Sequence, residues 1–234
     1  MTAEKQNDPL TNFFADHDRR IIACTLCPRL VAWREEVARI KRRAFRDQVY
    51  WGKPVPGFGD IRARVFIVGL APGAHGSNRT GRMFTGDDSG NFLYRALYKT
   101  GFANQPVATS REDRLQLKDL YIAALCRCVP PDNKPSSSEI ANCRPFLFEE
   151  LAAIKPRGIV ALGRLAYEEV FRHFIQVKPG AVPPPFAHGA LIPSESAAPW
   201  VIASYHPSRQ NTQTGRLTVE MFDRIWDLVR EQLD

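Results

Sequence analysis

The residues with the clearest chemistry in this sequence are its cysteines. Cys24 and Cys27 form a C-x2-C pair followed by Pro28, and Cys128 and Cys143 lie far downstream, fifteen positions apart. Four thiolates brought together suit either structural zinc or an iron–sulfur cluster. Zinc ribbons usually pair two C-x2-C knuckles, and the second knuckle is missing here. A [4Fe–4S] cluster on Cys24, Cys27, Cys128 and Cys143 fits better, because a large cluster accepts ligands from scattered elements. Cys126 stands two residues before Cys128 in a run that reads as strand, so it points the same way. A buried thiol without a ligand role is its expected fate.

The second chemical signal lies between Val65 and Gly90. An apolar run, Val65 to Val68, stops in Gly69-Leu70-Ala71-Pro72-Gly73-Ala74-His75-Gly76, and an amphipathic pattern starts near Asp88 and Ser89. That order is a buried strand, a tight loop and a helix N-terminus. So many glycines exceed what a connection needs, but they let a backbone approach a ligand closely.

The elements that must position these groups follow from pattern. Residues 1–20 read as a polar lead-in and residues 21–234 as one domain. A helix is expected over residues 29–46, with Leu30, Trp33, Val37 and Ile40 inward and a basic outer face that includes Arg34. Apolar runs at 121–128 (YIAALCRC), 158–162 (GIVAL) and 200–204 (WVIAS) supply three more strands. Between them stand helical segments near 91–101, 139–154 and 165–174, and a last helix spans 217–233. The proline-rich stretch 178–199 reads as a long loop. Strands alternating with helices predict a three-layer α/β/α sandwich with a mainly parallel four-stranded central sheet. The strand ends at Leu70, Val129 and Tyr205 should share one edge, where such sheets bind ligands.

Composition sets the outer limits. The chain has 234 residues, 44% hydrophobic and 24% charged, enough for a full core. No apolar run is long enough to span a membrane. The first residues carry acids and lack an apolar segment, so a cytoplasmic protein without disulfides is expected. A net charge of +7 permits a polyanionic partner without requiring one.

Three motifs, GLAPGAHGSNRTGRMFTGD at 69–87, RCVPPDNKP at 127–135 and SYHPSRQNTQTGR at 204–216, together with the cysteine pattern, resemble the family 5 (type B) uracil-DNA glycosylases. These form the iron–sulfur branch of their superfamily. The resemblance runs from Cys24 to Thr218. It implies an α/β/α fold, a [4Fe–4S] cluster, and an enzyme that flips uracil out of DNA, hydrolyses its N-glycosidic bond and leaves an abasic site. By the same resemblance Asp87 is the water-activating carboxylate, His206 stabilises the departing base, and Asn133 contributes to the active site. Phe84 is placed to stack on the flipped base, and the loop Gly69, Leu70, Ala71, Pro72, Gly73, Ala74, His75, Gly76 to bind it through backbone amides. Ser208, Arg209, Gln210, Asn211 and Thr212 have the polar, loop-like character needed to grip DNA. His188 is expected only to tie down the proline-rich loop.

Two departures from related glycosylases matter. Leu70 stands where relatives place an acidic or amide side chain, which leaves water activation to Asp87, and Ala124 stands where they use an asparagine to read uracil. Discrimination should therefore relax toward deaminated bases such as hypoxanthine. The expected partner is DNA, double-stranded or single-stranded, carrying such a base, and the expected state a monomer. Lys134 is the only lysine in the three motif loops, so hydrolysis without strand cleavage is expected. The alternative is a catalytically silent iron–sulfur protein that binds DNA or senses damage.

Overall fold

The computed structural model describes residues 8–174, 184–193 and 198–234. Part of the stretch 178–199 read as a loop lies outside them. The first element is a helix, α1 (Pro9–Ile22), and not a polar lead-in. Asp8 caps it, accepting from the amides of Leu10 and Thr11. Phe14, His17 and Ile21 are buried, and His17 Nδ1 sits 3.1 Å from Glu149 Oε2. Scattered polar residues masked a face that has one apolar or aromatic group per turn.

Six strands form one sheet: β1 (Phe58–Gly59), β2 (Val65–Gly69), β3 (Leu120–Ala124), β4 (Gly158–Leu162), β5 (Leu191–Ile192) and β6 (Trp200–Ser204), in the order β1-β3-β2-β4-β6-β5. The four expected strands are the parallel centre. Two-residue antiparallel strands at each edge raise the count to six. Pairs this short leave no periodicity to read.

All four central strands are buried throughout. Their side chains alternate between two cores, as pleating demands. Val65, Ile67 and Ile122 pack against α4 (Asp88–Lys99) and α8 (Val219–Leu233), while Phe66, Val68 and Tyr121 pack against α1, α5 (Ser137–Ile154) and α6 (Arg164–Phe174). That is the three-layer sandwich. The expected boundaries of α4, α5 and α8 hold to within a few residues. The cap of α5 is Ser136, in a reciprocal pair with Glu139, one residue before the serines expected to start it.

Helix α2 (Pro28–Ile40) is shorter than expected and turned differently. It buries Leu30, Arg34 and Val37, while Trp33 is 37% and Ile40 64% exposed. Arg34 faces inward because thiol and carbonyl acceptors await it: its Nη1 donates to Cys128 Sγ at 3.2 Å and to the Cys24 carbonyl at 3.4 Å. Strand β3 also stops earlier than expected, at Ala124, so Cys126 and Cys128 lie in the irregular segment beyond it.

Candidate active site

A pocket of about 350 Å³ opens at the carboxyl edge of the sheet. Its walls come from all three motif regions: Leu70, Ala71, Gly73, Phe84 and Asp87 after β2, Ala124 at the end of β3 and Asn133 after it, and His206, Ser208 and Gln210 after β6. Parallel strands deliver their ends to one edge, so residues more than a hundred positions apart meet there.

Asp87 is both the N-cap of α4 and a wall of the pocket. Its Oδ1 accepts from the Gly90 amide at 2.9 Å. Its Oδ2 lies over the first loop, so a Cβ on Gly76 would stand 1.8 Å from that oxygen and one on Gly73 2.8 Å. Here the glycines serve a close approach of backbone to carboxylate. Burial raises the Asp87 pKa, the Gly90 amide opposes it, and Asp88 adds to it. A carboxylate with one oxygen free of the cap and a raised pKa is suited to accept a proton from water.

Phe84 holds φ +50°, a conformation unusual for a bulky residue. Gly69 makes room for its ring edge and Gly90 for its carbonyl, where a Cβ would stand 1.8 Å away. The ring lies 5.7 Å from that of His206 at an interplanar angle of 28°. It belongs to the core and to the pocket wall at once. Burial lowers the His206 pKa to about 4, so the imidazole is neutral near pH 7. Asn211 Nδ2 donates to the His206 carbonyl at 2.8 Å and holds the strand end in place.

Of the first-loop residues, Leu70, Ala71 and Gly73 line the pocket. Among the described residues the amides of Ala71 and Gly73 meet no backbone acceptor, which leaves them as donors. His75 turns aside, its Nδ1 3.1 Å from the Tyr50 hydroxyl. The segment after Ser208 is not a loop: Ser208 caps a short helix, α7 (Arg209–Gln213). Arg209 and Thr212 face a neighbouring groove beside α4, with Arg209 Nε 4.0 Å from Asp88 Oδ2. His188 accepts from the Tyr205 amide at 3.1 Å and lies 3.2 Å from the Met221 carbonyl, tying its segment to β6 and α8. Ser77, Met83, Ser89 and Asp132 also line the pocket, and only the fold places them there.

The cysteines gather behind the first loop. Cys27 and Cys128 bury together with Leu30. Asn142 Nδ2 stands 3.4 Å from Cys27 Sγ, and Arg34 donates to Cys128 Sγ. Cys24 and Cys143 each act electrostatically on Cys27 and Cys128, so the four lie in one neighbourhood. Cys126 and Cys143 act on one another, raising the Cys126 pKa and lowering that of Cys143. Among the described residues no three His, Cys, Asp or Glu side chains converge as a site for a single metal ion. A soft donor set with cationic and amide partners for its sulfurs fits an iron–sulfur cluster better than an oxygen-ligated cation.

Sequence reading missed the strut that joins these two regions. Asn78 is 1% exposed on α3 (Ser77–Thr80), its Nδ2 donates to the Arg34 carbonyl at 3.2 Å, and its amide donates to the Gly73 carbonyl at 3.0 Å. The Arg34 carbonyl keeps its helical donor, so Asn78→Ala removes one buried side-chain hydrogen bond and is expected to cost about 0.5–1.5 kcal/mol. Thermal unfolding would read this as a fall in Tm of about 2–4 °C per kcal/mol.

Comparison with known proteins agrees with this geometry. Residues 56–230 match the family model described as the uracil DNA glycosylase superfamily. A type-5 uracil-DNA glycosylase of Thermus thermophilus is 52% identical over 203 residues, covering 86% of this chain and 90% of that protein. One from Pyrobaculum aerophilum is 46% identical over 91% of this chain and 90% of its own length. A type-4 enzyme of Archaeoglobus fulgidus is 34% identical, but over only 51% of the chain. Family match and high identity across most of the length coincide with a pocket built from the three motifs, and the chain belongs to the uracil DNA glycosylase superfamily, on its type-5 branch.

Proposed function

We propose that this chain excises uracil, and other deaminated bases such as hypoxanthine, from DNA by hydrolysis of the N-glycosidic bond. The observation that carries the reading is the convergence of Asp87, Phe84, His206 and the first-loop amides on one pocket. The type-5 relatives are uracil-DNA glycosylases by name. A base stacked in a duplex is out of reach, so it must be extruded into the pocket at a cost of a few kcal/mol.

In the pocket the flipped base lies against Phe84, and the amides of Ala71 and Gly73 donate to its carbonyls. As the bond to the sugar lengthens, the base gains negative charge and the sugar oxocarbenium character. Asp87 faces the sugar, offsets that charge, and takes a proton from the attacking water. His206 donates a hydrogen bond to the leaving base as a neutral imidazole, with no proton transfer required. Asn133, at φ +56°, is the turn residue that brings the second motif to the pocket mouth. No lysine lines this pocket among the described residues, which supports a monofunctional hydrolase, because strand cleavage needs an amine nucleophile. Ala124, in the pocket wall, presents no amide to the base edge, which supports a broadened substrate range.

Cys24, Cys27, Cys128 and Cys143 would hold the [4Fe–4S] cluster, which supplies a rigid cross-link between α2, the segment after β3, and α5. Protein purified without air is expected to be brown and to contain about four irons per chain. A colourless, zinc-containing preparation would remove the assignment.

The deciding assay is single-turnover treatment of a labelled duplex with one deoxyuridine, then alkali. Cleavage should appear only after alkali, and a matched hypoxanthine duplex should also react. Cutting without alkali would refute the monofunctional reading, and strict uracil specificity the broadened range.

A further inference from the structure

Behind the first loop lies a further concavity of about 700 Å³, separate from the active-site pocket and from the groove beside α4. Trp51, Arg79, Lys53, Ser110, Arg111 and Glu112 are among the residues that line it. Trp51 is fixed in place: its amide donates to the Arg79 carbonyl at 2.8 Å, its Nε1 to the Pro54 carbonyl at 3.0 Å, and its ring packs on Gly81. Two exposed cations flank that ring, Arg111 at 4.6 Å and Lys53 at 5.8 Å. Among the described residues neither is held in an ion pair. Val49, on the rim, is 92% exposed, an apolar side chain with nothing to pack on. The adjoining turn adds exposed Arg42, Arg43 and Arg46, against Asp47, Glu112 and Asp18, whose charge acts on Arg111, as nearby acids.

This groove is joined to the active-site pocket through one guanidinium. Arg79 donates to the Gly86 carbonyl at 2.7 Å, to the His75 carbonyl at 2.7 Å, and to Gln48 Oε1 on the groove side at 2.6 Å. Gly86 immediately precedes Asp87. Buried Arg79 thus ties a lining residue of the groove, Gln48, to the residue before Asp87 in the pocket wall.

Resting on the glycosylase reading, we propose that the groove of Lys53, Arg111 and Trp51 binds the DNA backbone flanking the extruded nucleotide. A ligand with phosphates fits its excess of cations, and the sugars fit Trp51 and Val49. Neutralising phosphates releases counterions, so each contact contributes about 0.9 to the slope of log affinity against log salt.

The test uses the full chain and a fluorescent duplex. Lys53→Ala/Arg111→Ala should weaken binding and reduce the magnitude of the salt slope by about 2. The excision rate on saturating deoxyuridine duplex should be unchanged. A control pair with the same charge loss, Lys118→Ala/Lys155→Ala, lies before the amino ends of β3 and β4, at the sheet edge opposite the active-site pocket. It should leave the slope as in wild type. An unchanged slope in the first pair, or an equal drop in both, overturns the proposal. Failure of wild type to excise uracil would instead remove the glycosylase reading, while the salt slope would still decide the groove.

Discussion

Asp87→Asn is expected to lower single-turnover excision by about 10²–10⁴-fold, the range for loss of a general base. DNA affinity should be nearly unaffected. The amide keeps the shape and can still cap α4 through its carbonyl, so folding should survive, and thermal unfolding checks this. What it loses is the charge beside the sugar and the ability to take a proton. The pH dependence follows the same group. Burial raises the Asp87 pKa above the ordinary carboxylate value of 3.8, and only the ionised form can act. Excision should therefore fall as pH drops through that raised pKa, and be retained above it. A variant as active as wild type would show that Asp87 is a helix cap and nothing more.

His206→Ala should cost about 10²–10³-fold in rate, as for removal of one donor to a developing anion. The more discriminating measurement is again the pH profile. Burial lowers the His206 pKa to about 4, so the imidazole is neutral throughout the working range. A neutral donor predicts no rise in rate as pH falls through 6.5. An imidazolium acting as acid predicts such a rise, which disappears in His206→Ala. Observing it would overturn the neutral-donor role. The ring contact with Phe84 makes a packing effect possible in the alanine variant, so Phe84→Leu serves as comparison: it disturbs the same contact but leaves the donor.

Much of this molecule is written locally. The four central strands are runs of apolar residues bounded by turn signals, and each was legible because burial on both faces demands such runs. Cys24 and Cys27 and the glycine-dense first loop also announced themselves by type and spacing, while His206 stood out only through the motif's resemblance to a known family. Asp87 was legible as a candidate, but its two uses, as cap and as pocket wall, depend on where Gly73 and Gly76 pass beneath it.

Tertiary structure alone decided the rest. Helix α1 was hidden because its inward face includes His17, whose partner Glu149 lies 132 positions away. Arg34 looked like a solvated charge until the fold supplied Cys128 and the Cys24 carbonyl as acceptors. His75, read as a pocket residue by its position in a motif, is drawn aside by Tyr50. Local pattern records which faces are apolar, because the hydrophobic effect acts on every residue by its own surface. It does not record which polar groups will be paired, because a buried donor is satisfied by an acceptor that only the folded chain brings near.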